Sequence, residues 1–393
     1  MKKKNGLLWV IAMLLIVSLP DAVLALDSND VAVRGKPIAE RIADRDFPSV
    51  FQAWGRVQNL RDVTILEGIA KHDLMWNVIS QCGLRWDQHP RGLAEGFEPF
   101  SIQAARRMRA DLLKLNPNLI MIAEIRYRDA HPSFLPEGHK WWMRDDSGQI
   151  VKGWEEGQFL QLDYRSAEYR RHVAQRAKAV IDTGVADGIL LDWWQDDEHR
   201  LALIKEVRAA IGDDPLVIVN SNDRTAPQTA PYINGFFMEC YRSNSAEDWQ
   251  RIARTLKWAE QNLRPPRVNC VEVWFQNSRQ DLNLMRAVTT LTLTHSDGYC
   301  LFGDPNPLPM PDHQHDWYRF WDTDLGKPLG QAVLREDGAT QREFTNGTVV
   351  YNPLGNRAAE LTFDEAQTSQ AMHIGSKQHV LPGGDGDIYL RRP

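Results

Sequence analysis

The chain has 393 residues, in which 46 Lys and Arg stand against 52 Asp and Glu, for a formal net charge of −6 at pH 7. A mildly acidic chain lacks the basic surface through which proteins bind nucleic acids or anionic lipids. The composition therefore excludes nucleic acid as a partner and excludes a polybasic membrane anchor.

The N-terminus has the three parts of a secretory signal. Lysines at 2–4 precede an apolar run over 7–19, and Val23 and Ala25 suit the −3 and −1 positions of a signal-peptidase site. The apolar run is about 13 residues long, which is short of the roughly 20 that a spanning helix needs. We predict that residues 1–25 are a cleaved signal peptide. The mature chain is then exported, either periplasmic or secreted, without stable insertion in a membrane.

After an irregular lead-in over 26–48, apolar β-type runs alternate with amphipathic helical patterns. The predicted strands cover residues 49–54, 74–80, 118–127, 187–193, 216–220, 235–241, 268–274 and 298–302. The predicted helices cover residues 102–115, 168–181, 198–211, 246–263 and 279–291. Among the flanking residues, Ser101 and Ser245 suit helix N-caps, and Gly184 and Gly212 suit helix ends.

Eight strands alternating with helices over about 270 residues are typical of a (β/α)₈ TIM barrel. A doubly wound sheet is the alternative, but it would usually carry a Gly-rich phosphate loop after its first strand, and residues 54–57 are not one. From residue 327, short β-type runs and turn signals such as Asn346-Gly347 replace the helical pattern. We predict an α/β fold, with a barrel over 26–326 and a small antiparallel β-sandwich domain over 327–393.

Cysteine and tryptophan add two further indications. The four cysteines lie far apart in the sequence, which favours small buried core residues, although a disulfide is open to them in an oxidising compartment. Fourteen tryptophans are many for this length, and each is either a large core residue or a flat apolar surface for a sugar ring. We expect Trp54, Trp76 and Trp193 to line a groove or to lie in the core.

Two carboxylates end apolar barrel strands. Asp192 ends the fourth strand and Glu239 ends the sixth, and the alternation of side chains places both inside the barrel mouth. Active sites of TIM barrels lie at the carboxyl ends of the strands. Two facing carboxylates are the minimum set for glycoside hydrolysis, either retaining at about 5 Å or inverting at about 6.5–9.5 Å. We predict Asp192 and Glu239 as the catalytic pair, with Glu272 as the rival to Glu239.

Further strand-end residues are candidates for substrate contact. Glu124 and Arg126 share one face of the third strand, where they form either an ion pair or substrate contacts. Asp304, His313 and His315 follow the eighth strand in a Pro-rich loop, in which the two histidines are expected to be solvated. The complete predicted binding set is Trp54, Glu124, Arg126, Trp193, Asn220, Glu272, Trp274 and Asp304.

Other chemistries have weaker support in the sequence. His313-Gln314-His315 and His72-Asp73 are short His-containing segments. Amidohydrolase-type barrels place metal-binding histidines at the end of the first strand, and neither segment stands there. The chain also lacks the Gly-x-Ser-x-Gly elbow of serine hydrolases. We therefore predict no metal and no other cofactor.

Several motifs resemble a known group of proteins. They are WWMRDDSG at 141–148, QLDYRS at 161–166, DGILLD at 187–192, FME at 237–239 and TNGTVVYN at 345–352. These segments are similar to uncharacterised bacterial glycosyl-hydrolase barrels, the hypothetical glycoside hydrolase family 15. The resemblance implies a TIM barrel with a β-sandwich tail.

A more distant resemblance suggests the roles of the pair. In α-galactosidase- and α-glucosidase-type barrels, the nucleophile is an Asp that ends the fourth strand and the acid/base ends the sixth. Asp192 and Glu239 stand in those places, although the second residue is mostly Asp in those enzymes. The sequence thus predicts an O-glycosyl hydrolase acting on an extracytoplasmic glycan or exopolysaccharide. The alternatives are a non-catalytic polysaccharide-binding or matrix-assembly protein and a metal-dependent hydrolase.

Overall fold

The structure is a computed structural model, and it describes residues 35–304 and 313–391. The predicted signal peptide, 1–25, lies outside the described residues. Within them, eight parallel strands form one sheet in chain order: β1 Phe51–Gln52, β2 Leu74–Met75, β3 Ile120–Glu124, β4 Gly188–Leu191, β5 Leu216–Asn220, β6 Gly235–Cys240, β7 Cys270–Trp274 and β8 Tyr299–Gly303.

The sheet closes on itself. A parallel bridge joins Val50, next to β1, to Cys300 of β8, and the Cys300 amide donates to the Ser49 carbonyl at 3.0 Å. A closed parallel barrel has no edge strands, whereas a doubly wound sheet has two. The predicted TIM barrel is therefore confirmed, and the doubly wound alternative is wrong.

The strand register places polar side chains at the barrel mouth. Glu124 pairs with Leu190, and Glu239 pairs with Glu272 across β6 and β7. Residues paired in parallel strands share a face of the sheet, and every second residue returns to that face. Asp192, two residues beyond Leu190, continues the inward face, as the sequence alternation predicts.

Eight α-helices lie in the described part of the chain: α1 Ile38–Asp44, α2 Ile65–Ala70, α3 Val78–Gln81, α4 Pro99–Leu115, α5 Ala167–Asp182, α6 Glu198–Ile211, α7 Ala246–Asn262 and α8 Leu282–His295. The five longest confirm the periodic segments of the sequence. The sequence analysis assigned residues 26–48 to an irregular lead-in, which was wrong for the part that forms α1. The predicted strand over 74–80 was also too long, because Asn77 takes a left-handed φ of 67° and α3 follows. Apolar runs this short do not distinguish strand from helix.

The predicted helix boundaries have mixed outcomes. Ser245 caps α7 in a reciprocal capping box with Asp248, and Gly212 ends α6 with φ of 81°. Gly184, with φ of 68°, follows the last residue of α5 by two positions. Ser101 is not an N-cap, because α4 begins at Pro99, whose fixed φ suits the first helical turn.

A second sheet follows the barrel. Its strands, in the part of the chain that the structure covers, are β9 Val333–Leu334, β10 Thr340–Glu343, β11 Gly347–Asn352, β12 Ala359–Ser369, β13 Gly375–Leu381 and β14 Asp385–Arg391. They pair antiparallel in the order β9-β10-β11-β14-β12-β13. The predicted change to antiparallel β-structure is thus confirmed.

Helix α8 lies between the barrel and this second sheet. Residues 287–294 are all buried, so that every side of the helix is covered. The hydroxyls of Thr290 and Thr294 donate to carbonyls one turn earlier, at 2.8 and 2.7 Å, which satisfies them inside the protein. A Cβ atom on Gly386 of β14 would lie 1.7 Å from the Thr290 hydroxyl, so the close approach of strand and helix requires glycine.

The cysteines and the helices also answer two sequence predictions. Cys82, Cys240, Cys270 and Cys300 are all buried and all free, as expected for core residues. None of the helices in residues 35–304 and 313–391 has the length and apolar character that crossing a bilayer requires.

A buried ionic cluster anchors the other end of the barrel. Asp187, just before β4, accepts from Arg109 Nη2 at 2.7 Å and from two guanidinium nitrogens of Arg41 in α1. Burial alone would raise the pKa of Asp187, but the two guanidinium groups outweigh it and lower the pKa. The lead-in helix is thus tied to the strand that carries Asp192.

We predict that Asp187→Asn lowers the free energy of unfolding by about 3–5 kcal/mol, because it leaves two buried guanidinium groups without a counter-charge. Urea unfolding at pH 7 measures this loss. Since the pKa of Asp187 is lowered, its contribution is present above about pH 3.9 and is lost as the pH falls. Asp111→Asn, which breaks an exposed pair with Lys114, is the control and should cost at most about 1 kcal/mol. Equal losses in both variants would contradict a structural role for the cluster.

Candidate active site

A cavity of about 470 Å³ opens at the carboxyl ends of the barrel strands. Its base contains three carboxylates, Glu124, Asp192 and Glu239, and its walls come from the loops after β2, β3 and β4 together with α5. The volume lies in the ordinary range for small-molecule sites, about 300–1,000 Å³. The cavity stands where active sites of TIM barrels lie.

A strained turn holds Asp192 in place. The following residue, Trp193, has a left-handed φ of 55°, a conformation that bulky residues rarely adopt. Its carbonyl accepts hydrogen bonds from the Tyr127 hydroxyl at 2.9 Å and from Arg200 Nη2 at 3.1 Å. Its amide donates to Asp192 Oδ1 at 2.9 Å. Strain of this kind persists where surrounding contacts fix it, often at functional sites.

Asn220, at the end of β5, joins the two predicted catalytic carboxylates. Its Nδ2 donates to Asp192 Oδ1 and to Glu239 Oε2, both at 2.8 Å. Its Oδ1 accepts from the Asn222 amide at 3.2 Å, which fixes the direction of the side-chain amide. The two carboxylate oxygens are therefore no more than twice 2.8 Å apart.

Glu239 also lies next to a buried His–Glu pair. His313 Nδ1 pairs with Glu272 Oε2 at 2.7 Å, and its Nε2 lies 3.6 Å from Glu239 Oε1. Both His313 and Glu272 are buried. Glu272 does not line the cavity, and its contact with Glu239 runs through the imidazole.

Glu124 forms the third side of the base. It accepts from Trp54 Nε1 at 2.9 Å and pairs with Arg126 Nε at 2.9 Å. The ion pair that was one alternative for Glu124 and Arg126 is thus present, and both residues also line the cavity.

Burial shifts the acid strength of the three carboxyls. It raises the pKa of Glu239 to about 7, and the neighbouring Asp192 and Glu272 carboxylates add to the rise, while His313 opposes it. Burial also raises the pKa of Asp192 and of Glu124, in each case against the Arg126 guanidinium. A carboxyl with a pKa near 7 holds and releases a proton at neutral pH, as a general acid/base must.

The tryptophans divide between the cavity and the core. Trp193 is 44% exposed and Trp54 is partly buried, and both line the cavity. Trp76 is fully buried against the Phe51 and Phe237 rings, so it belongs to the core. Trp274 lies at the end of β7 against Tyr241 and outside the cavity lining.

The loop after β8 differs from the sequence prediction. His313 and His315 are buried, so the expectation that they are solvated was wrong. His315 Nε2 lies 2.8 Å from His72 Nε2, which gives it a partner inside the protein. Asp304 is buried in a two-bond ion pair with Arg279, at 2.8 and 2.7 Å, and does not line the cavity.

Other cavity residues had no signal in the sequence analysis. His313 and the wall residues Trp86, Arg91, Trp154, Phe159 and Arg176 line the cavity beside the predicted set. The wall residues come from long connections and from the middle of α5, where no strand end marks them. The one available hint was the number of aromatic and Arg residues in the loops after β2 and β3.

Comparisons with known proteins agree on the barrel. No protein-family model matches the chain, and no curated protein sequence matches it. An α-amylase structure from Malbranchea cinnamomea is similar with a TM-score of 0.52 and 10% identity, over 90% of this chain and 97% of that chain. A cyclic α-maltosyl-(1→6)-maltose hydrolase from Arthrobacter globiformis has a TM-score of 0.51 and 11% identity, over 87% and 99%. At this identity the likeness shows the fold, which is a TIM barrel of the kind found in glycoside hydrolases.

We predict that Glu239 makes stability depend on pH. Because its pKa is raised to about 7, the folded state binds a proton that the unfolded state has already released above pH 4.5. Stability therefore falls as the pH rises from 4.5 through 7, by up to about 1.4 kcal/mol per pH unit. Glu239→Gln should make this fall smaller, and the share that comes from Asp192 and Glu124 should remain, as measured by urea unfolding between pH 4.5 and 8.

The matched control is Glu198→Gln, whose side chain is 87% exposed. This variant should follow the wild-type curve. If Glu239→Gln also follows the wild-type curve, then the carboxyl of Glu239 does not have the raised pKa described above.

Proposed function

We propose that this protein is an exported glycoside hydrolase that cleaves a glycan outside the cytoplasm with two carboxylates. One observation carries the proposal. The side-chain amide of Asn220 holds Asp192 and Glu239 together at the base of one cavity, at the carboxyl ends of barrel strands. Carboxylates in that arrangement are able to flank a single glycosidic bond.

The distance between the carboxylates supports a retaining reaction. Carboxyl groups about 5–5.5 Å apart leave no room for a water between nucleophile and sugar, whereas inverting enzymes need about 6.5–9.5 Å. Both oxygens accept from one nitrogen at 2.8 Å, so they are at most twice that distance apart, and this limit supports the retaining arrangement over the inverting one. The reaction would then proceed through a covalent glycosyl-enzyme.

The two carboxyls take different roles in the first step. An Asp192 oxygen attacks the anomeric carbon and forms the ester, while the glycosidic C–O bond breaks. Glu239 gives its proton to the departing oxygen, which leaves as an alcohol. Its pKa of about 7 keeps a large share of the groups protonated at neutral pH.

The second step reverses these roles. Glu239, now a carboxylate, takes a proton from water, and the resulting hydroxide equivalent attacks the anomeric carbon and releases Asp192. His313 Nε2 at 3.6 Å lies beside the charge that Glu239 acquires, and Glu272 fixes the ring from behind. His313 thus partly offsets the negative charge of Glu239, while Glu272 holds the ring in place.

The remaining cavity residues suit a sugar. Glu124 and Arg126 offer acceptors and donors to hydroxyl groups, and Trp54 and Trp193 offer flat rings for stacking. The motifs at 187–192 and 237–239 support a place beside the hypothetical glycoside hydrolase family 15, with a signal peptide over 1–25, a catalytic domain over 26–326 and a β-domain over 327–393.

We predict that residues 26–393 release reducing ends from at least one member of a polysaccharide panel. Asp192→Asn and Glu239→Gln should each lower kcat about 10³-fold or more, because each removes a group that acts on the reacting atoms. Glu198→Gln is the control with unchanged kcat. Proton NMR of the first product should show retention of the anomeric configuration.

Two outcomes would contradict the proposal. Full activity of Asp192→Asn on a cleaved substrate would exclude it as the nucleophile. Binding of a polysaccharide without release of reducing ends, equal in the wild type and in the double variant, would favour a non-catalytic protein.

A further inference from the structure

The cavity has a second polar region, away from the three carboxylates. Arg176, in the middle of α5, lines the wall formed by the loops after β2 and β3. Its side chain is buried, with 3% relative exposure. Its guanidinium lies 3.7 Å from the centre of the Trp86 ring and 5.4 Å from that of Phe134, and both rings line the same cavity.

The hydrogen bonds of Arg176 use only some of the N–H donors of its guanidinium group. Nη1 donates to the carbonyls of Arg91 and Ala94, both at 2.7 Å. Nε is buried without an acceptor, and Nη2 has none either, among residues 35–304 and 313–391. Nε and Nη2 are thus unused donors on a residue that lines the cavity.

No carboxylate neutralises Arg176 among the residues that the structure describes. Glu95 and Asp87 act on it only at longer range, and Glu95 pairs with His172 at 2.9 Å instead. Burial lowers the pKa of Arg176 to about 10, so it stays protonated at neutral pH. A buried charge without a counter-charge is unfavourable, and an anion that enters the cavity would relieve it.

Arg91 brings a second positive charge to the same wall. Its carbonyl is bound by Arg176, and its own side chain is exposed and lines the cavity. In the described chain, Arg91 forms no ion pair with a carboxylate. Two guanidinium groups, one packed against aromatic rings and one exposed, form a site for an anionic group.

We propose that the cavity binds acidic sugars, with the anionic substituent of the glycan held by Arg91 and Arg176 while Asp192 and Glu239 lie at the bond to be cleaved. The position of Asp192 and Glu239 at the bond to be cleaved rests on the proposed function, whereas the anion site at Arg91 and Arg176 does not. The anionic group is a carboxylate, as in a hexuronic acid, or an ester sulfate or phosphate, since a planar guanidinium binds all three through paired N–H donors.

Binding tests the arginine site without any need for turnover. Trp54, Trp86, Trp154 and Trp193 all line the cavity, so intrinsic tryptophan fluorescence reports occupancy. The probes are glucuronate, galacturonate and mannuronate, each beside its parent hexose, together with hexose 6-sulfate and 6-phosphate. At least one acidic probe should bind about tenfold or more tightly than the parent hexose, and the carboxylate and ester probes separate the two sources of negative charge.

Substitutions locate the binding to the arginine pair. Arg91→Ala should weaken the acidic probe about tenfold and leave the neutral hexose unchanged. Arg91 is exposed, so this variant should fold, whereas Arg176→Gln serves as a second variant only after its unfolding curve is measured. Arg254→Ala, on the exposed side of α7, is the matched control with unchanged binding. The inference is overturned if no acidic probe binds more tightly than its parent, or if Arg91→Ala binds as the wild type does.

A hydrolysis comparison separates this inference from the proposed function. Hyaluronan, alginate and polygalacturonate are each tested beside the same polymer with its carboxyls reduced to alcohols. Faster cleavage of the acidic form supports both ideas. Equal cleavage of the two forms overturns the acidic-sugar inference and leaves the glycosidase standing. Arginine-dependent binding without cleavage of any form supports the anion site and contradicts the glycosidase.

Discussion

The contact on which the site depends is the pair of hydrogen bonds from the Asn220 amide to Asp192 and Glu239. Two carboxylates this close repel each other strongly where water is scarce, and without a shared donor they would move apart or into solvent. The amide fixes their distance, while burial, together with this repulsion, raises the pKa of Glu239 to about 7. Arg126 and His313 lower the negative charge on either side. The arrangement of the two carboxyls thus depends on one neutral side chain, Asn220, at the end of β5.

Much of this arrangement could be predicted from the sequence because barrel geometry is regular. Strand alternation decides which residues face inward, and a charged residue at the end of an apolar strand, such as Asp192 or Glu239, has few structural explanations. Asn220 and Glu124 follow from the same rule. These residues belong to the closed sheet, so their relative positions change little with the details of loops.

The rest depends on contacts between distant parts of the chain. His313 and Arg176 are 137 residues apart in the sequence, and no local sequence pattern indicates that either lines the cavity. His313 is buried in a pair with Glu272, a contact that no local pattern indicates. Arg41 was missed for the same reason: α1 has seven residues, and its role depends on Asp187. Asp304 is the opposite case. It follows a strand and was predicted to contact substrate, but it pairs with Arg279 and does not line the cavity.

Helix α8 has a consequence for how this protein can be divided. A barrel helix normally keeps one face in water, but residues 287–294 are covered on all sides, with β14 against Thr290. A barrel cut off before residue 327 would expose an apolar helix face to solvent, which invites aggregation. The C-terminal sheet is thus an integral wall of the protein and not a portable module, and evolution would have to exchange it together with α8.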